Sequence, residues 1–336
     1  MVFNAPIVSS KNSSFLCLPS DEGRIGETHP LRPMSPIVVF AQPRTGSNLF
    51  FDMFYQRKEI SKDFELLDLY ELFQFSKETE WYAKTKMYKF ISRSCDIPNP
   101  TETATSTLET EIALKSSNST MLQNIEQGFQ TRHAQPQLLL EYLARIPTRT
   151  RLSYYIFKVF DDHIKESALG TPGNLVDIVR HEDENARFIV LWRRRIIETF
   201  VSYKIAMARN EWIDKAVNVQ TDKIVVEKAE LEDFVQETRN YYLNVKHSLN
   251  DRNQHLVVFE YDKDLRTLQD QEATVAQIES ILGLDDGKPS RAKETLSRLS
   301  RKKQSDVDIK ELITNWDEVV SWGYGGDVEE WEDLFA

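Results

Sequence analysis

Residues Ile37 to Phe50, IVVFAQPRTGSNLF, join an apolar run to a helical pattern through a short polar turn, and that join constrains the chain more than any other stretch. Ile37 to Phe40 are apolar and β-rich and are bounded in front by Pro36, which predicts a fully buried strand rather than a half-solvated one. Beyond the turn, Leu49, Phe50, Met53 and Phe54 recur at the spacing of an amphipathic helix that starts near Ser47. A helix beginning in such a turn points several unpaired backbone N–H groups and its positive end at one place. Gly46 allows close approach of the backbone, Thr45 and Ser47 add hydroxyls, and Arg44 adds a planar charged fork. The turn is therefore a cradle for an anion on its chemistry alone. The competing reading is an ordinary strand-to-helix turn whose Arg44 pairs with a surface carboxylate.

Two further stretches repeat the theme. In RFIVLWRRRIIETFVSYK, Phe188 to Trp192 read as a strand that runs into Arg193, Arg194 and Arg195. Three arginines at the end of a buried strand are costly unless an anion or carboxylates meet them, and the carboxyl ends of parallel strands are where open α/β sheets hold ligands. In RLSYYIFKVFDDHI, Tyr154 to Phe160 read as a buried strand interrupted by Lys158, which needs an anionic partner. The nucleotide-binding pattern G-x-x-x-x-G-K-[ST] is not met: Ala41 stands at its first glycine, and no lysine follows Gly46.

QPRTGSN resembles the 5′-phosphosulfate loop of the sulfotransferases that use 3′-phosphoadenosine 5′-phosphosulfate (PAPS), with Pro43, Arg44, Thr45, Gly46 and Ser47 matching position by position and Asn48 following. The same family carries a strand followed by an arginine and, eight residues on, a helical serine that together hold the 3′-phosphate. Arg194 and Ser202 stand at that spacing. The resemblance covers roughly residues 36 to 320 and implies a three-layer α/β, P-loop-like sulfotransferase fold with a mostly parallel central sheet flanked by helices. It implies PAPS as co-substrate, no metal, and sulfuryl transfer to a hydroxyl or amine of a small-molecule, lipid or carbohydrate acceptor. Arg44 and Lys158 would supply positive charge at the transferring group, and the loop from Arg44 to Asn48 would hold the phosphosulfate. RLSRKKQSDVDIKELITNWDEV resembles the segment that folds over the nucleotide, which makes Arg301 and Lys303 further cofactor contacts. In the cytosolic branch a histidine base follows two residues after the strand lysine; here Phe160 occupies that place. The departure points to the bacterial, carbohydrate and tyrosyl-like branches that use a carboxylate. Glu65 in KDFELLDLY is the first candidate for the base and His163 the second.

The remaining sequence fits around this frame. At 336 residues and 40% hydrophobic composition the chain can bury one large core. Net charge of −11 argues against nucleic-acid binding. Two cysteines, Cys17 and Cys95, form no C-x-x-C pair, which fits a reducing, cytoplasmic setting. No run approaches the length of a membrane span. Residues 1–35 read as an arm, 36–320 as the domain with an insertion at 99–135 that could act as a lid, and 321–336 as an acidic tail. A long helix is expected over 230–249, then a strand at 255–259 and a capped helix ending near Gly283. The aromatic segments ELFQF and WYAKTKMYKF read as core, with an acceptor pocket as the alternative. Two other functions remain open: a silent nucleotide-binding protein of the same fold, and a kinase, which the missing Gly-Lys pair disfavours.

Overall fold

The structure, a computed structural model, describes residues 32–60, 64–74, 77–95, 120–146, 148, 152–209, 223–254, 256–284, 308–325 and 334–335. Most of the amino-terminal arm, the 99–119 part of the lid candidate, Arg301, Lys303 and most of the acidic tail lie outside the described residues.

The first half runs β1 (Ser35–Phe40), α1 (Ser47–Ile60), β2 (Phe64–Asp68), α2 (Lys77–Cys95), α3 (Thr120–Thr131), α4 (Pro136–Ala144) and β3 (Leu152–Val159). It continues with α5 (Asp161–Lys165), α6 (Pro172–Glu182), β4 (Arg187–Trp192), α7 (Ile196–Arg209), α8 (Lys228–Asn250) and β5 (Val257–Glu260). A π-helical turn (Tyr261–Leu265) leads to α9 (Leu268–Ile281), and α10 (Ile309–Leu312) and α11 (Trp316–Ser321) follow.

The five strands form one parallel sheet in the order β2-β3-β1-β4-β5. The hydrophobic runs explain why: parallel strands covered on both faces need apolar side chains at successive positions, not alternate ones. Ile37, Val39, Ile156, Ile189, Leu191 and Phe259 face one side, where α1 and α9 cover them. Val38, Phe40, Tyr155, Phe157, Val190 and Trp192 face the other, under α2, α3, α4, α6 and α8. The result is three layers, as expected from the sequence. Pro36, which has no N–H to give, sits ahead of the β4 pairing, which begins at Ile37. A third apolar cluster joins Ile197, Phe200 and Val201 of α7 to Leu231, Leu312 and Val319.

Several boundaries differ from the sequence reading. β1 starts at Ser35, one residue inside the expected arm, and β3 spans Leu152–Val159 rather than 154–160. Within the expected insertion, α3 and most of α4's lead-in are ordered helix and turn; Leu122, Ile125 and Phe129 are buried in the core. From 120 the chain thus packs on the core of this layer. In the described parts of ELFQF and WYAKTKMYKF, Leu72, Phe73, Met87 and Tyr88 are buried in the core, whereas Tyr82 is 42% exposed. β5 runs into the π-helical turn before Thr267 caps α9, its hydroxyl accepting the Asp270 N–H at 3.2 Å.

Candidate functional site

The carboxyl ends of β1, β3, β4 and β5 converge on the turn Ala41–Gly46, whose start is tied to β3 by the Ala41 N–H donating to Val159 O at 3.2 Å. Two adjacent tyrosines of α8 brace it from below. Tyr241 donates its hydroxyl to Val159 O at 2.6 Å and Tyr242 to Leu191 O at 2.8 Å. Both also reach the turn, Tyr241 at the Ala41 backbone and Tyr242 at the Gln42 backbone and the Thr45 side chain, and burial pushes both phenols far up from their usual range. Arg44 and Gly46 take left-handed backbone angles, φ +70° and +81°. A β-carbon on Gly46 would stand 2.2 Å from Cδ2 of Tyr261, so glycine is required both by angle and by space. The first α1 hydrogen bond runs from Phe50 N–H to Gly46 O at 3.0 Å. The amides of Ser47, Asn48 and Leu49 precede it at the helix start, where backbone donors and the helix dipole favour an anion.

Two stretches read separately in the sequence meet here. Arg44 Nε donates to Ser202 Oγ of α7 at 2.9 Å, so the loop arginine and the helical serine share one cleft. Lys158, 4% exposed at the end of β3, points to the α1 face and donates to Asn48 Oδ1 at 3.1 Å. Its ammonium lies between the rings of Tyr70 and Phe160, 5.0 Å from each centroid. Glu71 is a carboxylate partner, at 3.8 Å and partly open to solvent. The three arginines after β4 are each met by carboxylates: Arg193 by Glu198 and Asp262, Arg195 by Glu198, and Arg194 by Glu260 through contacts of 3.1 and 3.2 Å. Arg193 also stacks on Tyr261, 4.6 Å from its centroid.

Three expectations are corrected. Glu65 lies on β2 opposite Ser153, near the amino-terminal edge of the sheet. Six strand residues separate that level from Val159, about 20 Å, which removes Glu65 from the cleft. His163 is buried, its Nδ1 accepts the Phe160 N–H at 3.3 Å, and its ring stacks on Phe160. Burial, together with the nearby charge of Lys158, pushes it down to about 3, which makes it a poor proton acceptor. Thr45 is 2% exposed and donates its hydroxyl to Gln42 O at 2.8 Å, so it closes the turn rather than facing a ligand. Arg301 and Lys303 lie outside the described residues.

Glu71, Glu260, Tyr242 and Tyr261 were not singled out in the sequence. Glu71 gave no signal because β2 was not read as a strand, and so its end was not read as a strand end. The tandem Tyr241–Tyr242 did fall on the buried stripe of the expected 230–249 helix, which marked them as core but not as supports of the turn. Among the described residues no helix is long and apolar enough to cross a membrane. Compared with known proteins, the chain matches no family model and no curated sequence.

Proposed function

We propose that the chain is a PAPS-dependent sulfotransferase acting on a hydroxyl acceptor. The observation that carries the reading is the Arg44–Ser202 hydrogen bond: residues 158 positions apart, each belonging to a separate motif of the same resemblance, stand in one cleft. The cleft holds a positive fork, a buried lysine and the amides of a helix start, which suits a phosphosulfate better than a neutral ligand. In the transfer, the acceptor oxygen bonds to sulfur as the bridging sulfur–oxygen bond breaks, leaving adenosine 3′,5′-bisphosphate. The acceptor proton goes to Glu71, which takes the role first expected of Glu65: it is a carboxylate that pairs with Lys158 at the carboxyl end of the sheet. Lys158, held by Asn48 and desolvated between two rings, stabilises charge that grows on the leaving side.

The test is single-turnover transfer of labelled sulfate from PAPS to acceptors in a small-molecule extract, with binding of adenosine 3′,5′-bisphosphate followed alongside. Glu71→Gln is expected to slow transfer on the order of 100-fold or more with nucleotide affinity intact, while Glu65→Gln leaves the rate unchanged. Transfer that survives Glu71→Gln removes this base assignment; failure of the wild-type chain to bind the bisphosphate removes the sulfotransferase reading.

A further inference from the structure

Arg194 and Glu260 close the cleft at the ends of β4 and β5, and they do so in a particular way. Nε and Nη2 of the arginine lie 3.1 and 3.2 Å from the two oxygens of one carboxylate. The Nη2 contact is a hydrogen bond and the Nε contact an ion pair, and two guanidinium nitrogens close to two oxygens of one anion approach the arrangement in which arginine receives a phosphate monoester. Glu260 is well placed to hold that position. It is the last residue of β5, its N–H donates to Asp264 Oδ2 at 2.6 Å, and its side chain is only 12% exposed. The arginine is the more open partner, at 26%.

We propose that Glu260 is an internal stand-in for a ligand phosphate at Arg194, so that a nucleotide phosphate must displace it to engage this arginine. The proposal rests on the nucleotide reading above and assigns the residue that sets how much the second phosphate contributes. A ligand carrying only a 5′-phosphate leaves the pair intact. A ligand with a second phosphate exchanges one anion for another on the same fork, and its gain is the difference between the two, not the whole charge-assisted interaction.

The surroundings give the exchange a pH dependence. Facing Glu260 are Arg194 from the turn after β4 and Asp262 and Asp264 from the π-helical turn; Arg193, Arg195 and Glu198 lie one contact further, around Asp262. Burial pushes the Glu260 carboxyl above its usual range, Arg194 pulls it back, and the two aspartates push it up again. A carboxyl whose ionised form is disfavoured is the one that takes a proton first as pH falls, and the neutral acid releases the guanidinium.

Calorimetric binding of adenosine 3′,5′-bisphosphate and of adenosine 5′-monophosphate to the full chain separates the outcomes. At about pH 8, Glu260→Gln is expected to bind the bisphosphate about tenfold more tightly than wild type, with the monophosphate changed less than about twofold. As pH falls from there the two proteins are expected to converge, because burial and the neighbouring aspartates make the wild-type carboxyl take up a proton more readily than an ordinary glutamate. Glu260→Asp, which keeps the charge but draws it back by one methylene, lies between them and guards against a folding defect in the first variant. Arg194→Gln loses the preference for the bisphosphate. Equal bisphosphate affinity in wild type, Glu260→Gln and Glu260→Asp overturns the stand-in role while leaving the nucleotide reading in place. Absence of binding of either nucleotide to wild type overturns both.

Discussion

His163 has its Nδ1 engaged by the Phe160 amide and its ring against Phe160, and it is neutral because burial and Lys158 both oppose a proton. Its folded value, about 3, lies below the ordinary 6.5, so the unfolded chain binds the proton more readily. The stabilisation this gives is complete above about pH 6.5 and is lost as pH falls from there towards 3. Between pH 7 and pH 5 this group alone is expected to remove about 2 kcal/mol. His163→Asn keeps an acceptor for the amide but does not titrate, so its urea midpoint should fall less over that interval; parallel curves for the two proteins would count against this account. At this scale the sequence showed need but not partner. Lys158 in an apolar strand had to meet an anion or a polar oxygen, and it meets Asn48 and Glu71. Three successive arginines had to be answered, and carboxylates of α7, β5 and the π-helical turn answer them. Which carboxylate answers which arginine depends on contacts between residues as far apart in sequence as Arg193 and Asp262, and no local pattern encodes them.

At the scale of elements, the strand–turn–helix unit from Ser35 to Ile60 was readable because every part has a local cause: a buried apolar run, a glycine at positive φ, and apolar helical spacing. β2 was not readable. FELLD is rich in leucine and glutamate, which favour helix, and it becomes a strand because β3 offers it a paired edge. The π-helical turn was equally hidden, yet it supplies the ring that closes over the cradle. Gly46→Ala tests the join between these two elements. The substitution forces a side chain into a left-handed backbone position and against the Tyr261 ring, and a loss on the order of 1 to 3 kcal/mol in stability is expected. Nucleotide binding should fall with it. Adding Tyr261→Ala removes the collision but not the backbone strain, so thermal unfolding should recover only in part. A Gly46→Ala protein as stable as wild type would mean that the turn relaxes freely, and the rigid cradle would have to be given up.

The whole molecule is held by one sheet, with cores on both faces that share its strands. Residues near the end of the chain return to this centre: Leu334 is 4% exposed, and Phe335 packs against Trp192 and Tyr242, with centroids 5.5 and 5.8 Å away. Both contacts lie directly behind the turn that Tyr242 braces. Leu334→Ala is expected to lower stability by about 2 to 5 kcal/mol, the usual range for a buried leucine. A shift in the urea midpoint checks this, and no shift would show that the segment contributes nothing to the core. The sequence by itself determined the buried strands and the strand–turn–helix unit, because runs of apolar residues, a glycine turn and helical spacing act through local geometry and desolvation, whereas the layered parallel architecture was an implication of the family resemblance. Only the tertiary structure decided which groups share the cleft. The strand order put β1 between β3 and β4 and so set Arg44 against Ser202 and Lys158 against Asn48. It left Glu65 at the far edge, because parallel register fixes a residue's height along the sheet through its neighbours' hydrogen bonds and not through its own sequence.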